Sequence, residues 1–228
     1  MRILLGVQAR SGGSRFPGKI YEEIEGRSIL QRVVDACLRV DPLPKAIQVS
    51  TAILCPENDD RLMEECRKNK WDRIAGSEED LIARYQIAIE ISNADACVRL
   101  TADCPFLSSK IISEVVMQLA QVDYCSNTIY RSWAEGLDVQ GASKKAWDWL
   151  DNNQQVEREH PWKLFDENQI IRDQFVKDGL DFFTLCDFSN IIFQKTSIDT
   201  KEDLESARTF KLQHEWELCD APRPMRQI

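Results

Sequence analysis

Three cations are threaded through a glycine-rich stretch near the start of the chain, Arg10-Ser-Gly-Gly-Ser-Arg-Phe-Pro-Gly-Lys19. Glycines let backbone amides approach a ligand closely. Arg and Lys supply charge-assisted donors to phosphate oxygens. The stretch follows a short apolar run, Ile3-Leu4-Leu5-Gly6-Val7, which reads as a buried strand. A basic, glycine-rich loop leaving the first strand of an α/β sheet can cradle phosphate; the plain alternative is a solvated turn. Gly13 to Lys19 also satisfies the G-x-x-x-x-G-K pattern of a P-loop. The residue after the lysine should then be a Ser or Thr that binds Mg²⁺, and here it is Ile20. Pro17 removes an amide donor as well, so a P-loop is not expected.

A second chemical signal sits further on. The apolar run Ala96-Cys-Val-Arg-Leu-Thr101 is followed by Ala102-Asp103-Cys104-Pro105. Ligands of open α/β sheets gather at the carboxyl ends of strands. An Asp just past such a strand can hold Mg²⁺, which takes one or two carboxylates plus substrate phosphates. In isolation, Asp103 reads first as the cap of a turn before Pro105.

Strands and helices must alternate to place these residues. Strands are expected at 3–7, 46–51, 71–76, 94–101 and 123–130, with late ones at 181–185 and 191–194. Helices are expected at 28–40, 57–70, 78–92, 108–121 and 143–153, from apolar residues at helical spacing such as Ile29, Leu30, Val33, Val34 and Cys37. This alternation predicts an α/β fold with a doubly wound, mostly parallel sheet. Length suits one domain over 1–218, with a nucleotide half to about 107, an acceptor half from 108, and a loosely held tail at 219–228.

Formal net charge is −9 over 228 residues, which argues against a nucleic-acid-binding surface and leaves the basic loop as a local feature suited to a small anion. No apolar stretch is long enough to span a bilayer, and Met1-Arg2 leads into only a short strand rather than a signal peptide. The eight cysteines include no C-x-x-C pair, so a zinc knuckle is not expected and buried thiols in a reducing cytoplasm are.

Together, Ala9-Arg10-Ser11-Gly12-Gly13-Ser-Arg15-Phe-Pro-Gly-Lys19 and Arg99-Leu-Thr-Ala-Asp103-Cys-Pro105 resemble the signature of the cytidylyltransferase family. That family makes CMP-activated acidic sugars such as CMP-3-deoxy-octulosonate and CMP-sialate. The branch most similar is the spore-coat-polysaccharide type. Further matches follow in order: Gly76-Ser-Glu-Glu-Asp80-Leu-Ile-Ala-Arg84-Tyr85, Arg131 through Gly136-Leu-Asp138-Val, Arg158-Glu159-His160, and Asp199-Thr200-Lys-Glu-Asp203-Leu204. Two departures stand out: Ala102 replaces a more usual Gly, and Pro161-Trp162-Lys163 replaces a Val-Thr-Pro run.

The resemblance implies transfer of CMP from CTP to a small anionic acceptor with release of pyrophosphate, on a nucleotide-diphospho-sugar transferase fold, by a homodimer. It implies that Arg10, Arg15 and Lys19 hold phosphates. It places Ser77 and Asp80 near the base and ribose, and Asp103 and Asp199 on Mg²⁺. Arg10, Lys19 and Asp103 are then the catalytic set. Asn127, Asp138, Arg158, Glu159 and His160 fall on the acceptor side. Ser77 and Asp80 read equally as structural, and Arg84 reads as an i,i+4 partner of Asp80. Thr200 with Asp203 fits a capping box. Another transferase or a glycosyltransferase of the same fold, or a non-catalytic nucleotide-binding regulator, stays open at this point.

Overall fold

The computed structural model describes residues 1–13, 15–153, 155–186 and 195–214, with side chains placed as far as Thr209. The chain begins with β1 (Arg2–Gln8), whose central residues are buried on both faces. A 3₁₀ turn (Lys19–Tyr21) and a small hairpin of β2 (Glu23–Ile24) and β3 (Arg27–Ser28) lead to α1 (Ile29–Leu38). Next come β4 (Gln48–Pro56), α2 (Asp60–Asn69), β5 (Arg73–Gly76), α3 (Leu81–Ser92), β6 (Ala96–Thr101) and α4 (Ser109–Gln118). The later part supplies β7 (Tyr124–Ser126), β8 (Gln140–Ser143), α5 (Lys144–Asn152), α6 (Lys163–Glu167), α7 (Gln169–Lys177), β9 (Phe182–Thr184) and α8 (Lys201–His214). The tail at 219–228 and the strand expected at 191–194 lie outside the described residues.

The seven-stranded sheet runs β5-β4-β1-β6-β8-β7-β9. β1 pairs in parallel with β4 and β6, and β8 is antiparallel to both of its neighbours. The mostly parallel α/β fold is therefore as expected, with one reversed strand that the sequence reading lacked. Gln140-Gly-Ala-Ser143 has no apolar alternation to announce a strand; it is buried because Gly141 lets α4 approach closely. The second strand is also longer than expected. It runs on to Pro56, because its pairing with β1 continues to Leu54.

Helix starts are set by side chains that accept backbone N–H bonds. Ser28 caps α1 through Gln31 N–H, Asp59 caps α2 through Leu62 N–H, and Ser143 caps α5 through Ala146 N–H. Thr200 and Asp203 form the expected reciprocal box at α8: Asp203 N–H donates to Thr200 Oγ1 and Thr200 N–H donates to Asp203 Oδ2.

Two apolar layers cover the sheet. One holds Leu5, Val7, Val33, Ile112 and Ile198. The other is aromatic, with Tyr85 stacked on Trp147 at 4.5 Å and Tyr124 stacked on Trp162 at 4.3 Å between ring centroids. Pro161-Trp162-Lys163, the departure noted above, thus supplies a core aromatic. The seven described cysteines are buried and form no disulfide with one another. Ala102 does not adopt positive φ, so its methyl costs the backbone nothing.

The functional segments meet at the carboxyl ends of β1 and β6, where strand order reverses around β1. The residues before α8 are docked there by backbone bonds: Thr196 N–H donates to the Glu135 carbonyl at 2.7 Å and Ile198 N–H to the Asp103 carbonyl at 2.9 Å. Gly136 makes this possible. Its φ is +100°, and a Cβ there would meet Ser197 N at 2.4 Å and Thr196 Oγ1 at 2.7 Å. Gly136→Ala is therefore expected to destabilise the protein by about 1–3 kcal/mol, read as a drop in thermal midpoint. An unchanged midpoint would show that the 195–200 segment is not held against Gly136.

Candidate active site

The loop after β1 is braced before it can bind anything. Ser11 N–H and Ser11 Oγ both donate to the Asp59 carboxylate at 2.6 Å, and Ser11 Oγ also meets Tyr21 Oη at 2.5 Å. Gly18 N–H closes the loop on the Ser11 carbonyl at 2.9 Å, with Gly18 at φ +75°. Ser11 thus fixes the loop. Its neighbours Ala9, Arg10, Gly12, Gly13, Arg15 and Lys19 line a cleft of about 310 Å³.

Lys19 reaches across the floor of that cleft from the start of the 3₁₀ turn. Its Nζ donates to Asp103 Oδ2 at 2.7 Å, to the Ile198 carbonyl at 2.6 Å and to Asp199 Oδ1 at 3.2 Å. All three ammonium protons are used. Asp199 also pairs with Arg15 at 2.9 Å and Lys195 at 3.0 Å. Burial opposes its charge, but the Lys195 and Lys19 ammonium groups win and hold its carboxyl below the ordinary value. Lys195 also grips Asp203, so the start of α8 and the cleft floor share one cation. The two carboxylates expected to act together, Asp103 and Asp199, are therefore brought together on one positive charge. Among the described residues no group of three His, Cys, Asp or Glu side chains forms a metal cage.

Arg10 stands at the rim, 3.7 Å from Glu78 and 3.6 Å from Glu159, about half exposed and without a short hydrogen bond to either. Glu159 and His160 line the cleft. Arg158 instead points to Asp80 and Asp151, both at 2.7 Å. Asp80 in turn caps α3 through Ala83 N–H, and Ser77 Oγ accepts from Asp80 N–H. Ser77, Asp80 and Arg158 thus form a brace behind the cleft wall. Arg84 corrects a sequence expectation: it is not paired with Asp80. It is buried, and its guanidinium donates twice to the Ser77 carbonyl. The reason is packing, since Gly76 leaves room for the Arg84 stem. Asn127 is also spent on backbone, donating to the Leu137 carbonyl and accepting from Val139 N–H. Asp138 forms a two-pronged pair with Arg131.

Several cleft residues were missed by sequence reasoning, among them Gln8, Glu78, Arg84 and Arg99. Arg99 carried a usable signal, being the one charge in the apolar run of β6. Its guanidinium donates to Gln8 Oε1 at 3.0 Å and to Gln140 Oε1 at 2.6 Å. Arg99 and His160 also line a second cavity of about 240 Å³ beside the first. On its wall is Asp166, which accepts from Tyr124 Oη at 2.7 Å, Thr128 Oγ1 at 2.5 Å and Gln140 Nε2 at 2.6 Å.

A glycine loop and a lysine-bridged carboxylate pair sit at the switch point of a mostly parallel sheet, where ligands of Rossmann-like folds gather. Residues 5–219 match the cytidylyltransferase family, and the chain belongs to it. It is 31% identical over 133 residues to the spore coat polysaccharide biosynthesis protein SpsF of Bacillus subtilis, covering 56% of this chain and 53% of that protein. It is 27% identical over 129 residues to 3-deoxy-manno-octulosonate cytidylyltransferase 2 of Hydrogenovibrio crunogenus, covering 54% and 49%. The match spans about half the length of each. A solved cytidylyltransferase from Leptospira borgpetersenii superposes with TM-score 0.79 at 29% identity, over 93% of this chain and 87% of that one. A CMP:2-keto-3-deoxy-manno-octonic acid synthetase bound to CTP shares the fold, with TM-score 0.65 at 14% identity over 93% and 99%.

Burial raises the Asp166 carboxyl to about 6, against the pull of Thr128, Tyr124, Gln140 and the Arg99 charge. Its folded value is above its unfolded value of 3.8. The native state therefore binds a proton more tightly, and the group's contribution to stability falls as pH rises from about 4 to about 6, then levels off. In Asp166→Asn this component of the pH dependence is expected to vanish. Thermal midpoints of both proteins between pH 4 and 8 check it; parallel curves would refute the raised value.

Proposed function

We propose that this chain is a CTP-dependent cytidylyltransferase acting on a sugar acid or similar anionic acceptor, in the supply of precursors for glycans or surface polysaccharide. The observation that carries the reading is the cleft floor, where Lys19 bridges Asp103 and Asp199 beneath a rim bearing Arg10 and Arg15. An acidic chain has little reason to gather three cations at one strand end unless an anion docks there. Family membership and the superposition on solved cytidylyltransferases support the reading. So does the similarity to the 3-deoxy-manno-octulosonate cytidylyltransferase.

In the proposed reaction an oxygen of the acceptor attacks the α-phosphorus of CTP. The new phosphorus–oxygen bond forms as the bond from that phosphorus to the bridging oxygen breaks, and pyrophosphate leaves with the electron pair. Such chemistry rests on positioning and charge stabilisation. Lys19 and Arg15 hold phosphate oxygens of the nucleotide and of the departing pyrophosphate, and Arg10 closes over them from the rim. Gly12 and Gly13 allow close approach of backbone to phosphate. The wall formed by Glu78, Leu81 and Arg84 faces the cytosine. Glu159 and His160, which follow Arg158 beside that wall, face the acceptor. A proton released from an acceptor hydroxyl passes to solvent.

Two converging carboxylates, already held on one cation, fit Mg²⁺ when phosphate oxygens complete the shell. Asp103 and Asp199 would hold it, and it would supply charge neutralisation at the phosphates. Asp103→Asn keeps the shape and removes one anionic oxygen. Turnover, read as pyrophosphate release from CTP, is expected to fall by roughly 10²-fold or more with the fold intact. Wild-type turnover in that variant would sink the assignment.

Nucleotide choice is a separate test. A site that pairs a polar base edge rejects mismatched bases because buried groups are left unsatisfied. CTP is expected to raise the thermal midpoint more than UTP, ATP or GTP in the presence of Mg²⁺. Equal stabilisation by all four would leave only a generic triphosphate site.

A further inference from the structure

The second cavity has no place in the nucleotide chemistry, yet it opens beside the cleft through Arg99 and His160, which line both. Asp166 sits on its wall with part of its surface still open. An ionised carboxylate has about four acceptor positions. Here three are taken: one by Tyr124 on Oδ1, and two by Thr128 and Gln140 on Oδ2. One position on Oδ1 is left. Among the described residues, none of the ion pairs involves Asp166. Its nearest linked cation is Arg99, reached through Gln140, whose Oε1 accepts from Arg99 while its Nε2 donates to Asp166. The amide of Gln140 is thereby oriented at both ends. A carboxylate held rigidly by three donors, with no cation of its own and a free lone pair, suits a hydroxyl donor from a ligand.

Apart from Trp162, the remaining lining is polar and of mixed sign. Arg131 and Asp138 neutralise each other in their two-pronged pair. Lys163 and Glu167 come from α6, and Thr128 follows β7. Such walls match a compact body rich in hydroxyl groups better than an apolar one.

We infer that this cavity receives the polyhydroxylated body of the acceptor, and that Asp166 is the specificity-determining residue, accepting a hydrogen bond from one acceptor hydroxyl while Arg99, at the mouth shared with the cleft, orients the acceptor's anionic end. The inference rests on the transfer reading above and deepens it. Tyr124 and Thr128 position Asp166; they do not touch the reacting atoms.

The test uses the full chain with Mg²⁺, saturating CTP and pyrophosphate release. The probes are 3-deoxy-manno-octulosonate, N-acetylneuraminate and, as an anion without the polyol body, lactate. At least one polyhydroxylated acid is expected to be turned over and lactate is not. Asp166→Asn should raise the KM of that acid by about 10-fold or more, as befits loss of a hydrogen bond to a charged group. Its kcat and the CTP titration should change little. Thr128→Val, which keeps the carboxylate but frees it, should raise the same KM several-fold, and it serves if Asp166→Asn does not fold.

The wild type offers a readout without mutation. Acceptor KM should rise as pH falls through about 6, and the inflection should be absent in Asp166→Asn. The other titratable or charged groups around Asp166 are Arg99 on β6, Tyr124 on β7, Arg131 and Asp138 between β7 and β8, His160, Lys163 and Glu167 beside or on α6, and Arg172 on α7, which donates to the Asp166 carbonyl. An inflection that survives in Asp166→Asn does not belong to Asp166 and overturns the inference. So does an unchanged acceptor KM in both variants, or CTP binding with no polyhydroxylated acid turned over. Absence of CTP binding overturns the inference together with the transfer reading beneath it.

Discussion

One ammonium group organises the cleft. Lys19 Nζ contacts Asp103, Asp199 and the Ile198 carbonyl at 2.6 to 3.2 Å. Without it, two carboxylates from distant parts of the chain would face each other across a partly buried floor, and like charges at that range repel. With it, the loop after β1, the end of β6 and the approach to α8 are tied at one point. The tie is partly open to solvent, with Lys19 and Asp199 each 19% exposed and Asp103 29% exposed. That exposure matters. A fully buried pair would be locked, whereas this one can exchange a carboxylate for a phosphate oxygen at modest cost.

The rest of the fold serves this point from behind. β1 and β6 are neighbours with a common register, so Gln8 and Thr101 end side by side. Asp59 staples the loop through Ser11. Gly136 admits the 195–200 segment, and Lys195 ties the start of α8 to Asp199. On the opposite face, the stack of Tyr124 on Trp162 fixes the hydroxyl that Tyr124 lends to Asp166. Core packing is thereby converted into polar geometry at the second cavity.

Much of this was legible in the residues. The alternation of apolar runs gave the parallel core of the sheet, and Ser28 and the Thr200–Asp203 box gave helix starts that the hydrogen bonds bear out. The pairing of Asp103 with Asp199 followed only from the resemblance, since nothing in their spacing joins residues so far apart. Side-chain allegiance was the part that stayed hidden. Arg84 and Asp80 are four apart on a helix, a spacing that invites a pair, yet Gly76 opens a pocket that draws Arg84 to the Ser77 carbonyl. Arg158, Asp80 and Ser77 form a brace through contacts between distant segments, which periodicity does not encode. β8 escaped notice because its short, polar sequence is buried by its neighbours and not by its own pattern.

In the proposed reaction the two carboxylates that Lys19 holds in the free protein would pass to Mg²⁺ beside the nucleotide's phosphates, so the two ligands would help each other bind. Calorimetric titration of CTP with and without Mg²⁺, and of Mg²⁺ with and without CTP, measures that coupling directly. Mutual tightening by the same factor is predicted, about 5-fold or more, with Mg²⁺ alone binding weakly while Lys19 occupies the carboxylates. CTP affinity independent of Mg²⁺, or tight Mg²⁺ binding to the free protein, would contradict it.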